Sequence, residues 1–88
     1  MALNKEVTNI ARQKVGQYLI DIRKFKKFSR NEMVRQTGLT YQQIQAIESG
    51  SGNYSIDAFL TYITALDCYF YLANKDGSDL IKQADNPV

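Results

Sequence analysis

Three glutamines stand close together at Gln42, Gln43 and Gln45, next to Tyr41 and Ala46. A glutamine amide carries a donor and an acceptor side by side, so it can bond adenine N6 and N7 together; a tyrosine ring or an alanine methyl can lie against a thymine methyl. Ile44 falls among these residues and Ile47 follows them at i+3, so a helix over this stretch turns the isoleucines inward and Gln42, Gln43 and Gln45 outward. Just upstream, Arg23, Lys24, Lys26, Lys27, Arg30 and Arg35 are opposed only by Glu32. Cations leading into a polar reading face are the footprint of a phosphate-binding surface. Such residues also occur as plain solvated helix surface, and lysines favour helix C-termini. The chemistry on offer is recognition of double-stranded DNA.

Two short helices must position these side chains. Ser29 followed by Glu32 is a capping-box pattern and predicts a helix start, with Met33 and Val34 as its apolar edge and Gly38 at its end. Thr40 caps the second helix and Gly50 closes it. Two helices joined by a short glycine turn form a helix-turn-helix, whose second helix can lie in the major groove.

Ser29, Glu32, Met33, Gly38, Leu39, Thr40, Ile44, Ile47, Glu48 and Gly50 together resemble the Cro/cI-like (Xre) helix-turn-helix family, and the resemblance runs from about Val15 to Leu66. Arg30 stands where that family usually has Gln, and Val34 where it has a small Ala near the helix crossing, a substitution expected to overpack by about 1 kcal/mol. The resemblance implies base contacts from Tyr41, Gln42, Gln45 and Ala46. The basic stripe points to backbone contacts from Arg30 and Lys27, Gln43 is expected to face the backbone as well, and in the family the following loop, here with Ser51 and Asn53, runs beside the DNA backbone. The resemblance also implies a partly buried ion pair between Arg23 and Glu48 that fixes the helix crossing.

Composition narrows the alternatives. The 88 residues suffice for one domain with a modest core, and 44% hydrophobic with 23% charged residues is ordinary for a globular protein. No run approaches the roughly 18 apolar residues of a membrane span, and MALNKEVTNIARQ lacks the apolar stretch of a secretory signal. Cys68 is alone, which excludes an internal disulfide and suits a reducing cytoplasm. With no histidine and one cysteine, the usual metal sites and nucleophile–base pairs cannot be assembled, so neither an enzyme nor a cofactor is expected. The net charge of +2 is split: residues 1–40 carry nine basic against three acidic groups, and residues 41–88 two against six.

Along the chain, Val7, Ile10, Ala11, Val15, Tyr18, Leu19, Ile22 and Phe25 predict one long helix over roughly 4–27. Ser55 caps a further helix, IDAFLTYITALD, with Ile56, Phe59, Leu60, Ile63 and Leu66 as its core stripe. The family resemblance divides this region into two helices, giving an all-α, five-helix, lambda-repressor-like domain over residues 1–67. Residues 68–75, with the aromatic run Tyr69-Phe70-Tyr71-Leu72, predict one short C-terminal β-strand, and 76–88 a flexible tail. A lone apolar strand needs a partner edge, and its own copy across a two-fold axis is the simplest one. That arrangement resembles HipB-type antitoxin repressors. The expectation is therefore a homodimeric regulator, most simply a repressor on a palindrome. The alternatives are an antitoxin that also binds a toxin protein, and an interaction adaptor that does not read DNA.

Overall fold

Hydroxyl caps set the starts of three of the four helices. The structure, a computed structural model, describes residues 5–74 and 76 and contains α1 (Lys5–Phe25), α2 (Arg30–Thr37), α3 (Tyr41–Ser49) and α4 (Ile56–Ala65). Ser29, Thr40 and Ser55 have extended backbone, and their hydroxyls accept from the N–H groups of Glu32, Gln43 and Ala58 at 3.0, 3.1 and 3.0 Å. Each cap satisfies one donor that a helix start leaves unpaired. At α3 the box is reciprocal, because Gln43 Oε1 also accepts from the Thr40 N–H at 2.9 Å. At α2 it is not: the Glu32 carboxylate accepts from Arg35 and Gln36 instead.

The core is built around α3, which packs on all three other helices. Ile44 and Ile47 are fully buried with Met33, Tyr62 and Leu66, Leu19 is buried beside them, and Phe59 and Ile63 close the side of α4. The crossing of α1 over α3 is set by glycine. A Cβ on Gly16 would lie 2.2 Å from the Glu48 carbonyl oxygen, so only a bare Cα admits this approach. Gly50 closes α3 at φ 71°, and a Cβ there would meet the α1 backbone at Arg12 and Gln13, 2.7 Å away. Val34, on α2, is half-buried and packs against the core.

α1 and α4 end alike, without glycine. After α1 the Lys27 N–H donates to Lys24 O and the Phe28 N–H to Arg23 O, both at 3.0 Å, with Lys27 at φ 65°. After α4 the Asp67 N–H donates to Thr64 O at 2.9 Å and the Cys68 N–H to Ile63 O at 3.2 Å, with Asp67 at φ 59°. This pair of bonds is the Schellman closure, which usually places glycine at the left-handed position. Lys26 joins the two turns by donating from Nζ to the Leu66 carbonyl, a cation at the negative end of α4.

Several expectations change. There are four helices rather than five among the described residues, because α4 runs unbroken to Ala65 and the chain then turns at Leu66 and Asp67. Residues 68–74 form no strand there, only a single bridge residue at Ala73. Among the described residues no second strand lies beside it. The tail expected from 76 to 88 lies outside the described residues except for Asp76, as does Lys75. The stripes were also too generous. Val7, Ile10, Val15, Tyr18 and Phe25 of α1 are exposed, as are Ile56 and Leu60 of α4, whereas Ala58 and Tyr62 are buried. α1 extends past the edge of the core, so its N-terminal half covers little.

Candidate nucleic-acid interface

The cap at Thr40 fixes which face of α3 turns outward. Tyr41, Gln42 and Gln45 are exposed and Ala46 is half-buried. Gln42, Gln45 and Ala46 line a polar recess of about 320 Å³ with Ser49, Ser51 and Gly52, so the structure brings the helix face and the following loop together. Within the loop, Ser49 Oγ lies 2.8 Å from Ser51 Oγ and also accepts the Ser51 N–H at 3.3 Å. Asn53 is exposed on the same loop. Two amides, two hydroxyls and a small apolar floor can offer donors, acceptors and a methyl-sized contact to base edges.

Gln43 does something else. Its carbonyl oxygen is committed to the Thr40 N–H, which leaves only its amide nitrogen to reach outward. The sequence pattern alone counts it as a third outward glutamine; the local hydrogen bond makes it a cap first.

Beneath this face lies a buried carboxylate with four donated hydrogen bonds. Glu48 accepts from Arg23 Nε at 2.7 Å, Arg23 Nη2 at 3.3 Å, Arg30 Nε at 2.8 Å and the Tyr62 hydroxyl. Arg23 also donates from Nη1 to the Phe28 carbonyl at 2.8 Å. Burial by itself raises the Glu48 pKa, but the bonds from Arg23, Tyr62 and Arg30 outweigh it and hold the carboxyl below the usual range. Burial, then the bond to Glu48, pushes the Tyr62 hydroxyl up. No buried side-chain nitrogen or oxygen lacks a partner among the described residues. The hub ties all four helices into one unit, because Arg23, Arg30, Glu48 and Tyr62 each come from a different one.

Arg30 is therefore tethered. Its Nε is spent on Glu48 and its guanidinium carbon lies 6.0 Å from the centre of the Tyr41 ring. About a third of the side chain, 35%, remains exposed. It thus links the buried carboxylate to the first residue of the outward helix. A second polar recess, about 560 Å³, adjoins it and is lined by Gln17, Lys24, Ser29, Asn31 and Tyr41 among others. Lys24 contributes to this recess and Lys27, held in the left-handed turn, does not. Lys26 points to α4. The cations upstream of the helix pair thus divide into face residues and structural ones.

Tyr69, Phe70, Tyr71 and Leu72 are not part of this face. They run past α1 and α4, where Phe70 packs edge-on against Phe59 at 5.7 Å and 82°. Sequence reasoning missed three positions and the structural role of a fourth, Lys26. Gly16 was detectable as an isolated glycine in a helical pattern. Arg12, Lys26 and the Tyr62 hydroxyl act over 14 to 40 residues, and no local signal marks them. Among the described residues no His, Cys, Asp and Glu cluster could hold a metal ion, and no helix is long and apolar enough to cross a membrane.

No family model and no curated protein matches the chain. Among solved structures, the restriction-modification controller protein C.AhdI from Aeromonas hydrophila is similar, at 30% identity and a TM-score of 0.63. The likeness covers 68% of this chain and 91% of that one. At that identity and coverage, with capped helices flanking a glycine turn at Gly38, the chain belongs to the helix-turn-helix regulator family.

Proposed function

We propose that this protein is a sequence-specific DNA-binding transcriptional regulator that represses by occupying a palindromic operator as a homodimer. The recess shared by Gln42, Gln45 and Ala46 with Ser49, Ser51 and Gly52 carries the reading, because it sets base-reading side chains beside a loop able to follow the backbone. Lys24, Arg30 and Asn31 around the adjoining polar recess suit a neighbouring phosphate. The similarity to a restriction-modification controller supports a regulatory role, and the lone cysteine suits a cytoplasmic protein.

The dimer rests on Tyr69, Phe70, Tyr71 and Leu72, all exposed, Tyr69 at 97%. Single exposed apolar residues are normal, but four in a row, of which Tyr69, Phe70 and Tyr71 are continuous with Val15 and Tyr18 of α1, suit an interface. In this proposal the segment pairs with its copy, placing two α3 helices one turn of DNA apart, about 34 Å. The same exposed segment also favours a second reading, an antitoxin that covers it with a toxin protein.

Selection of bound sequences from random duplex DNA tests the proposal. The expected product is a two-fold symmetric sequence with half-sites one helical turn apart. Failure to enrich any sequence would overturn DNA reading and leave the adaptor role, and an enriched sequence without symmetry would remove the dimer.

A further inference from the structure

The loop that completes the reading recess is held from behind by a residue on another helix. Arg12, on α1, donates from Nη2 to the Gly52 carbonyl at 2.7 Å, and its guanidinium carbon lies 5.0 Å from the centre of the Tyr54 ring. The same turn of α1 touches the end of α3, where Gly50 packs against the backbone of Arg12 and Gln13. Between these anchors, residues 51–53 are exposed, and their internal bonds join only Ser51 to Ser49, hydroxyl to hydroxyl at 2.8 Å and Ser51 N–H to Ser49 Oγ at 3.3 Å, which leaves Gly52 and Asn53 to the Arg12 contact. Gly52 sits at φ 75°, where a Cβ would come within 3.6 Å of the Ala46 Cβ, so the loop lies directly against the reading face.

We propose that Arg12 is a positioning residue for DNA reading: it fixes the loop through Gly52 and Tyr54 and so sets the wall of the recess that holds Gln42, Gln45 and Ala46. This rests on the DNA-binding reading above. Arg12 is half-buried, with its guanidinium turned to the carbonyl and the ring, so it acts through the loop and not by touching phosphate. Without it the loop samples other positions, and apparent affinity falls by the fraction of time the loop is in place.

The test compares the wild type with Arg12→Met, which keeps an apolar stem, and Arg12→Lys, which keeps the charge over Tyr54. Backbone order parameters at Ser51 to Tyr54 are measured on the DNA-free protein, and affinity is measured against the selected operator over a range of salt. Arg12→Met should drop the loop order parameters below about 0.6 while α2 and α3 stay near about 0.85. It should weaken operator binding about tenfold, the consequence of a loop in place about a tenth of the time, with an unchanged salt slope. Arg12→Lys should recover most of both. A salt slope reduced by about one would mean direct phosphate contact and overturn the proposal. Unchanged loop order would overturn it as well, as would a lowered melting temperature with unchanged affinity. If the wild type selects no sequence, the DNA reading fails, and the order parameters still decide whether Arg12 holds the loop.

Discussion

Replacing Glu48 by Gln should remove much of the stability of this fold while keeping its shape and volume. Glu48 is the acceptor for Arg23, Arg30 and Tyr62, and its side chain is fully buried. An amide offers one acceptor oxygen and turns two donors toward donors. Arg23, with 8% of its side chain exposed, would keep the Phe28 carbonyl and compete with Arg30 and Tyr62 for that single oxygen. Removing one partner of a buried ion pair costs about 3–5 kcal/mol. A domain this small unfolds with about 5–15 kcal/mol, so the variant should still fold, marginally. At about 4–8 °C per kcal/mol, its melting temperature should fall by roughly 12–40 °C. The pH dependence supplies a second signature. Glu48 is held below the ordinary carboxylate range in the folded state. Its stabilisation is therefore complete above the unfolded value of about 4.3 and is lost as pH falls through the folded value. The difference between wild type and Glu48→Gln should shrink below that pH. Glu32, lowered by its bonds from Arg35 and Gln36, is present in both proteins and cancels from the comparison. Thermal melts followed by circular dichroism between pH 3 and pH 7 read this directly. A variant melting within about 3 °C of the wild type at pH 7, or a difference constant down to pH 3, would refute the reasoning.

Three other perturbations follow from particular contacts. Gly16→Ala puts a Cβ 2.2 Å from the Glu48 carbonyl oxygen, forcing α1 off α3, and should cost about 3 kcal/mol or more in urea unfolding. Lys27→Gly relieves a left-handed backbone at φ 65° and should stabilise by about 0.5–1 kcal/mol after the greater freedom of unfolded glycine is deducted, measured by the same melts. Tyr69→Asp combined with Leu72→Asp charges two exposed residues, so sedimentation should find a monomer with unaltered helical content; a persistent dimer would move the interface elsewhere, to α1 first.

What the sequence made legible was local. Ser29, Thr40 and Ser55 cap helices because a hydroxyl and the N–H three residues on are enough to do it, and Gly38 and Gly50 end helices for equally local reasons. The Arg23–Glu48 pair was expected from family resemblance; that Arg30 and Tyr62 share the same carboxylate was not, since that depends on how four helices meet. Apolar periodicity located α1 but misjudged its burial. Val7, Ile10, Val15 and Tyr18 have helical spacing whether they face a core or another molecule. The strand expected over 68–75 came from composition, and β-propensity depends on having a partner to pair with. Arg12 and Gly52 are 40 residues apart, so their contact leaves no mark in either neighbourhood.

The central claim is that the outward face of α3 reads bases. Its most direct test is fluorescence anisotropy of the wild type and Gln42→Ala on the selected operator and on a random duplex of equal length, at one salt concentration. The wild type should prefer the operator by at least about a thousandfold. Gln42→Ala should lose about 5- to 150-fold on the operator, equivalent to about 1–3 kcal/mol for a bidentate base contact, and almost nothing on random DNA. Equal losses on both duplexes would make Gln42 a backbone contact and contradict the account.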